Sequence, residues 1–466
     1  MVNEERGLFK QVYAAYARNS VGTLMMRIVT ERAFSAKAID AVHARVAERQ
    51  TTREIVFSAM VEIMLLVVMG TRASAHAAWQ KNKDLVGASV QALYEKLAGV
   101  EPEVDRALLL HVGRRCADLV TELGGAYPRT FPAFPLRIVD GMHIEHTEKR
   151  LHVLRDVAVG PRPGFALAVY DAERDLIVDA LFETDAHAQE RSRFPDLLSL
   201  ARAGECWMGD RNFCTVGYVL GLVDCGAHPL IRQHGSFPWV PIGLREAAGR
   251  CATGAVFQQR IEVLDARGKA RKLWRVSVVL DEPTRDGDAE IHLITDLLDH
   301  GVTAVQCADA YRERWSIEGC FLTMAKSLNA EINTLGYPPA ALFALAIGFC
   351  AFNVLSTVQA ALRAEHGHAT IDEGLSVFAL VEEARVAWQG LNIVLPQDLW
   401  APYRRAPTAE IALELRTLAR AFSLDNGYRK SRPRAKKKKP PAKTRFKHKR
   451  HIATQRLLDE SVQDNS

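Results

Sequence analysis

The stretch LRIVDGMHI at residues 136–144 is where the chain changes period. Before it, apolar residues recur at helical spacing. From Leu136 onward they fall in short runs or alternate, which is the pattern of strands. FALAVYD (165–171), DLIVDALFE (175–183) and CWMGD (206–210) continue that pattern, with helical spacing at about 188–202 and 214–225. Three strands in quick succession, a helix and a further strand are the order expected of a mixed sheet flanked by helices, an α/β fold.

Working outward, residues 1–126 read as a helical domain of their own. Thr51-Thr52-Arg53-Glu54 has the spacing of a capping box, and Ile55, Val56, Met60, Val61, Met64, Leu65 and Val68 follow at helical intervals. The run YPRTFPAFP (127–135) ends this region, because its three prolines cannot continue a helix. On the other side, about 226–300 is rich in strand patterns: AVFQQRIEVLD (255–265), a glycine turn at ARGK, KLWRVSVVLD (272–281) and AEIHLITDL (289–297). This reads as an all-β block inserted before helices resume near 303 and run, with breaks at Gly336–Pro339 and near 365–370, to about 422.

Composition narrows the function classes. Eight single cysteines with no C-x-x-C pair, and no signal-like N-terminus, argue against a zinc ribbon or a disulfide framework and favour a reducing cytoplasm. The net charge of +5 conceals an asymmetry, since residues 429–450 carry thirteen Lys or Arg and no acid. The rest of the chain is therefore net acidic. The final segment, 423–466, reads as a basic, disordered tail able to neutralise phosphates without reading sequence, or else as a solubilising tail. Of two apolar runs, MVEIMLLVVMG (60–70) is too short to span a membrane. PPAALFALAIGFCAFNVLSTVQAAL (338–362) is near the lower limit and reads as a buried helix, with no membrane partner expected.

Three acids stand out. Asp140 and Asp210 each close an apolar run, which would aim them into the crevice outside the ends of buried strands. Either could equally be a turn residue. Glu318 lies in DAYRERWSIEGCFLTMAK (309–326), where a helical wheel puts Tyr311 at zero, Arg314 near about 300° and Glu318 near about 340°. By itself the Arg314/Glu318 pair reads as a surface ion pair. Taken together, three carboxylates on rigid elements make an oxygen-only donor set suited to Mg²⁺ or Mn²⁺. His143, Glu145 and His146 beside Asp140, and Asp185, His187 and Glu190 in ETDAHAQERS (183–192), read as supporting or surface groups.

VDGMHI around Asp140, GDRNF around Asp210, and the spacing Y-x2-R-x3-E at Tyr311, Arg314 and Glu318 resemble the three motifs of DDE transposases encoded by bacterial insertion sequences. The resemblance is to the group with a tyrosine, arginine, glutamate and lysine signature, insertion sequence family four. It implies a ribonuclease-H-like catalytic domain over 127–422 with the β-rich insertion between the second Asp and the Glu. It also implies Asp140, Asp210 and Glu318 as catalytic ligands of two Mg²⁺ ions, for which Mn²⁺ can substitute. Tyr311 and Arg314 would contact DNA phosphates, and Arg211 and Trp315, also at motif positions, would touch DNA or support the site. The signature lysine would fall at 325, which is Ala325; Lys326 follows one residue later, near about 60° on the wheel. The implied activity is transposition of the chain's own element in a bacterial cytoplasm, acting on terminal inverted repeats and target DNA as a homodimer, with the helical region 1–126 as a DNA-binding domain that helps recognise the repeats. A metal-dependent nuclease without strand transfer and a catalytically decayed DNA-binding protein are the alternatives.

Overall fold

The computed structural model describes residues 2–48, 55–145, 147–284, 287–395, 397–431 and 451–463. Thr51–Glu54, His146 and the basic run from 432 to 450 lie outside the described residues. The strands are β1 Leu136–His143, β2 Gly160–Arg162, β3 Phe165–Asp171, β4 Leu176–Glu183, β5 Cys206–Gly209 and β6 His228–Arg232. They continue with β7 Val240–Pro241, β8 Glu246–Cys251, β9 Gly254–Leu264, β10 Ala270–Leu280, β11 Glu290–Thr295 and β12 His451–Ala453. Ten of these make one mixed sheet in the order β4-β3-β1-β5-β6-β11-β10-β9-β7, with β8 on β9.

β4, β3 and β1 are antiparallel, whereas β5 and β6 run parallel to β1. The block expected as a β-rich insertion, about 226–300, continues this sheet, because β6 pairs in parallel with β5 and β11 pairs antiparallel with β6 from Leu293↔Arg232 to Thr295↔Leu230. The reason is physical: β6 would otherwise present a row of unpaired backbone groups, and β11 covers them. One apolar cluster lies on each face of the sheet.

The N-terminal helices do not close a core of their own. Leu24, Met64, Leu108 and Leu119 belong to the same cluster as Ile138 on β1, Phe349, and Leu415 near the C-terminal end. The cause is the helix Pro338–His366, long and apolar enough to cross a membrane and, over its most apolar window, completely buried in the fold. Such a helix needs partners all round. It takes them from Val21–Ala33, Phe57–Val68, Pro102–Leu123, Thr408–Ala421 and β4.

Asn353 is the polar exception on that helix. Its amide donates to the Ile177 carbonyl and accepts from the Ile177 N–H, both at 2.8 Å, on β4 at the edge of the sheet. One side chain thereby does the work of a missing neighbouring strand. The last residues depart from expectation too. Residues 451–463, within the segment expected to lack order, form β12, which pairs parallel with β2, and a helix Thr454–Gln463. Arg456 fixes them with a forked ion pair to Asp185 at 2.8–2.9 Å, and Ala453 and Thr454 are buried.

Replacing Asn353 by Leu leaves two buried backbone groups on Ile177 without partners. The expected cost is about 3 kcal/mol, read as an earlier midpoint in urea; an unchanged midpoint would show that the edge of β4 does not depend on this amide.

Candidate active site

The two aspartates become neighbours through strand register. β1 and β5 pair in parallel as Leu136↔Cys206, Arg137↔Trp207 and Ile138↔Met208. Pairing ends there: Asp140 lies two residues further along β1 and Asp210 is the first residue past β5, near enough for its charge to act on the Asp140 carboxyl. Leu136 and Ile138 share a core cluster with Cys206 and Met208, so alternation puts both acids on that same face.

Asp140 is not at a strand end as its position in the sequence suggested. β1 runs on to His143 because its other edge stays paired with β3, through His143↔Phe165. On the β5 side, however, pairing stops at Ile138, so Asp140 projects past the end of its parallel neighbour. Asp210 leaves β5 and accepts a bond from the Asn212 N–H at 2.7 Å, capping the short turn Arg211–Phe213.

Glu318 arrives on the helix Trp315–Lys326, whose residues Ile317, Cys320 and Met324 are buried in the core on this face of the sheet. The single helix expected over 309–326 is broken. Ala304–Tyr311 ends in a tighter 3-10 turn, Arg312–Arg314, before the next helix begins. The turn is tied down from outside by Thr130, whose hydroxyl donates to Glu313 at 2.6 Å.

That turn buries Arg314, whose side chain is only 10% exposed. Its guanidinium donates to Glu318 Oε1 at 2.8 Å and to Asp140 Oδ2 at 3.3 Å. Arg314, expected as a phosphate contact, bridges two of the three acids. The carboxylate oxygens of the three accordingly do not all come within 4.8 Å of one another. Burial works against the Arg314 charge, but Tyr311, Asp140 and Glu318 outweigh it and hold its pKa above the ordinary value.

Asp140 carries the tension of the site. Burial pushes its carboxyl up to about 6; Arg314 and the Gly141 N–H pull it down, while Asp210 and Glu318 push it further up. Asp140 therefore feels the charge of both other acids. Tyr311 is buried beside them, and its hydroxyl is pushed up to about 12, chiefly by burial, with Asp210 adding to the effect and Arg314 and Arg232 opposing it.

The remaining expected residues sit further out. Trp315 is 63% exposed and lies under the Arg314 guanidinium at 4.8 Å. Arg211 is exposed just past Asp210. Lys326 is exposed at the last position of its helix, about 12 Å along the axis from Glu318. Sequence reading placed Glu190 at the periphery, yet it links the two strands: it pairs with His143 Nε2 at 2.9 Å and accepts from the Asn212 amide. Gly141 makes room for it, since a Cβ there would collide with the Glu190 carboxylate. Nothing in ETDAHAQERS signals that reach. Asn212, though, lies inside the GDRNF motif and could have been singled out there.

No protein-family model matches the chain, and the curated proteins hold no match. Among solved structures it is similar to the cryo-EM structure of a piggyBac transposase synaptic complex with hairpin DNA, at 10% identity over 86% of each chain and a TM-score of 0.41. A likeness at that level decides neither fold nor activity, and the geometry above stands without it.

Asp140 also makes a prediction about pH. Its pKa is raised from 3.8 to about 6, so between those values the folded chain holds a proton that the unfolded chain has lost. Stability therefore falls as pH rises through this window. About two pKa units correspond to about 3 kcal/mol at most. Asp140→Asn should raise the melting temperature at pH 7.5 and leave it unchanged at pH 4; equal shifts at both pH values would contradict this.

Proposed function

We propose that the chain is a DDE-type DNA transposase of the bacterial insertion-sequence kind, with Asp140, Asp210 and Glu318 as its catalytic residues. The observation that carries the reading is the β1–β5 register, paired as far as Ile138↔Met208, which leads Asp140 on β1 and Asp210 just past the end of β5 toward one place, where the Asp140 carboxyl senses Asp210 and the Glu318 brought there by a helix. Three antiparallel strands followed by two parallel ones is also the order expected of a ribonuclease-H-like domain. On this reading 127–422 is the catalytic region and 226–300 its β-rich insertion.

The donor set suits a hard cation. Burial raises the Asp140 carboxyl, with Asp210 and Glu318 adding to the effect, and all the ligand atoms of the three acids are oxygens. Asp140, Asp210 and Glu318 would hold Mg²⁺, or Mn²⁺ in its place, once Arg314 releases Asp140 and Glu318. Bound there, a pair of such ions would supply Lewis-acid stabilisation of the attacking and leaving oxygens in phosphodiester chemistry.

The rest falls to the chain's own residues and to DNA. Water attacks phosphorus at the element end, the P–O3′ bond breaks, and the freed 3′-hydroxyl then displaces a 3′-oxygen in target DNA; each step exchanges one P–O bond for another. Arg314, released from its carboxylates, would turn to the phosphate backbone with Tyr311 beside it. Exposed Trp315 and Arg211 flank the acids and would line the DNA path, and Lys326 would reach a phosphate two turns along. Terminal inverted repeats and target DNA are the partners, a homodimer would join two ends, and the compartment is the bacterial cytoplasm.

The DNA flanking the gene supplies the substrate for the test. Wild-type chain should cut an end oligonucleotide only with Mg²⁺ or Mn²⁺. Asp140→Ala, Asp210→Ala and Glu318→Ala should each abolish cutting while end binding is kept. Full activity in all three variants, or no cutting by wild type, would overturn the proposal. For Lys326→Ala, end binding should weaken at every sequence and the salt slope should fall by about one; an unchanged slope would deny that lysine a phosphate.

A further inference from the structure

At the opposite end of the central strands, His228, Asp296 and His300 form a second polar cluster. Among the described residues it is the one group of three potential metal-ligating side chains whose donor atoms all lie within 4.8 Å of one another. His228 is the first residue of β6, level with Cys206 at the start of β5, while Asp210 follows the other end of β5. The cluster and the acidic site are thus separated by about 13 Å along the strands.

The local sequence builds the cluster. Thr295 pairs with Leu230, so the next residue, Asp296, is delivered beside the start of β6. A 3-10 turn, Leu297–His300, then returns His300 to the same side, and Gly301 at φ +83° lets the chain leave. His228 Nδ1 is 3.1 Å from Asp296 Oδ2, and His300 Nε2 is 3.8 Å from the same oxygen. Ligands about 2.0–2.1 Å from a tetrahedral Zn²⁺ lie about 3.3 Å apart, so the observed separations bracket what that ion needs.

The surroundings suit a metal as well. Phe134 sets its ring edge-on to His228 at 4.6 Å, and the two imidazoles meet at 4.4 Å. His228 and Asp296 are buried, whereas His300 is 45% exposed. The donors are two imidazoles and one carboxylate, an intermediate set richer in nitrogen than the all-oxygen acids at the other end of the strands.

We propose that His228, Asp296 and His300 form a binding site for a divalent transition metal of the Zn²⁺ class, with its open position on the solvent side of His300. Such an ion would cross-link β6 to the turn after β11, and so pin the β-rich extension to the strands that carry the two aspartates. The site is independent of the proposed function.

The test uses the full chain, stripped with chelator, dialysed against ZnCl₂ and analysed for bound metal and melting temperature. Wild type should keep one more Zn²⁺ per chain than His300→Ala or Asp296→Asn, and Zn²⁺ should raise its melting temperature but not theirs. His300 is exposed, so its loss should leave the fold intact; circular dichroism checks this. The double change Asp140→Asn/Asp210→Asn should leave this zinc in place. Equal zinc content and equal thermal shifts in wild type and His300→Ala would overturn the proposal, as would zinc lost with the two aspartates and kept without His300.

Discussion

Three carboxylates can share one face of a sheet only if positive charge lies among them, and in this fold Arg314 supplies it. Its guanidinium reaches Asp140 and Glu318 at once, from a side chain almost removed from water. A buried charge of this kind is costly unless well paired. Here the pairing is mutual: the acids hold Arg314 charged, and Arg314 limits how far burial drives Asp140 upward. The broken helix is the geometric side of the same bargain. By tightening at Arg312–Arg314, the chain turns one arginine inward at the point where β1 projects past β5.

The aspartates themselves have little freedom. Their positions follow from the β1–β5 register, and that register from two strands buried on both faces, where a one-residue slip would turn Ile138 and Met208 away from their cluster. Behind that face of the sheet lies the buried helix Pro338–His366, with Asn353 closing the exposed edge at β4. An apolar scaffold thus holds the acids close enough to repel each other, a strain that a binding site can use.

Much of this was legible in the residues. The runs at 165–171, 175–183, 206–210, 255–265 and 272–281 match β3, β4, β5, β9 and β10 to within two residues, because β-branched and aromatic residues bounded by turn chemistry leave few other readings. The break at YPRTFPAFP and the buried character of 338–362 were equally readable. Other features depend on tertiary partners. That β11 would join β6 depends on an edge needing cover, which composition does not reveal. The 3-10 turn at 312–314 depends on Thr130 and on two acids distant in sequence. The helical wheel read the Arg314/Glu318 pair, which is made at 2.8 Å, but a wheel shows phase and not depth, so the burial of Arg314 and its reach to Asp140 were not legible. Glu190 was passed over because its reach to His143 and Asn212 exists only in three dimensions, as does the convergence of His228 with Asp296 and His300.

The central proposal is that Asp140 and Asp210, with Glu318, hold divalent cations, with Arg314 moving off Asp140 to admit them. Anomalous diffraction from crystals of the chain grown with Mn²⁺ tests it most directly. The account predicts manganese peaks within coordination distance of both aspartates, with the Arg314 guanidinium moved off Asp140. Crystals in which Arg314 still bridges Asp140 and Glu318, with no manganese at either aspartate, would contradict it.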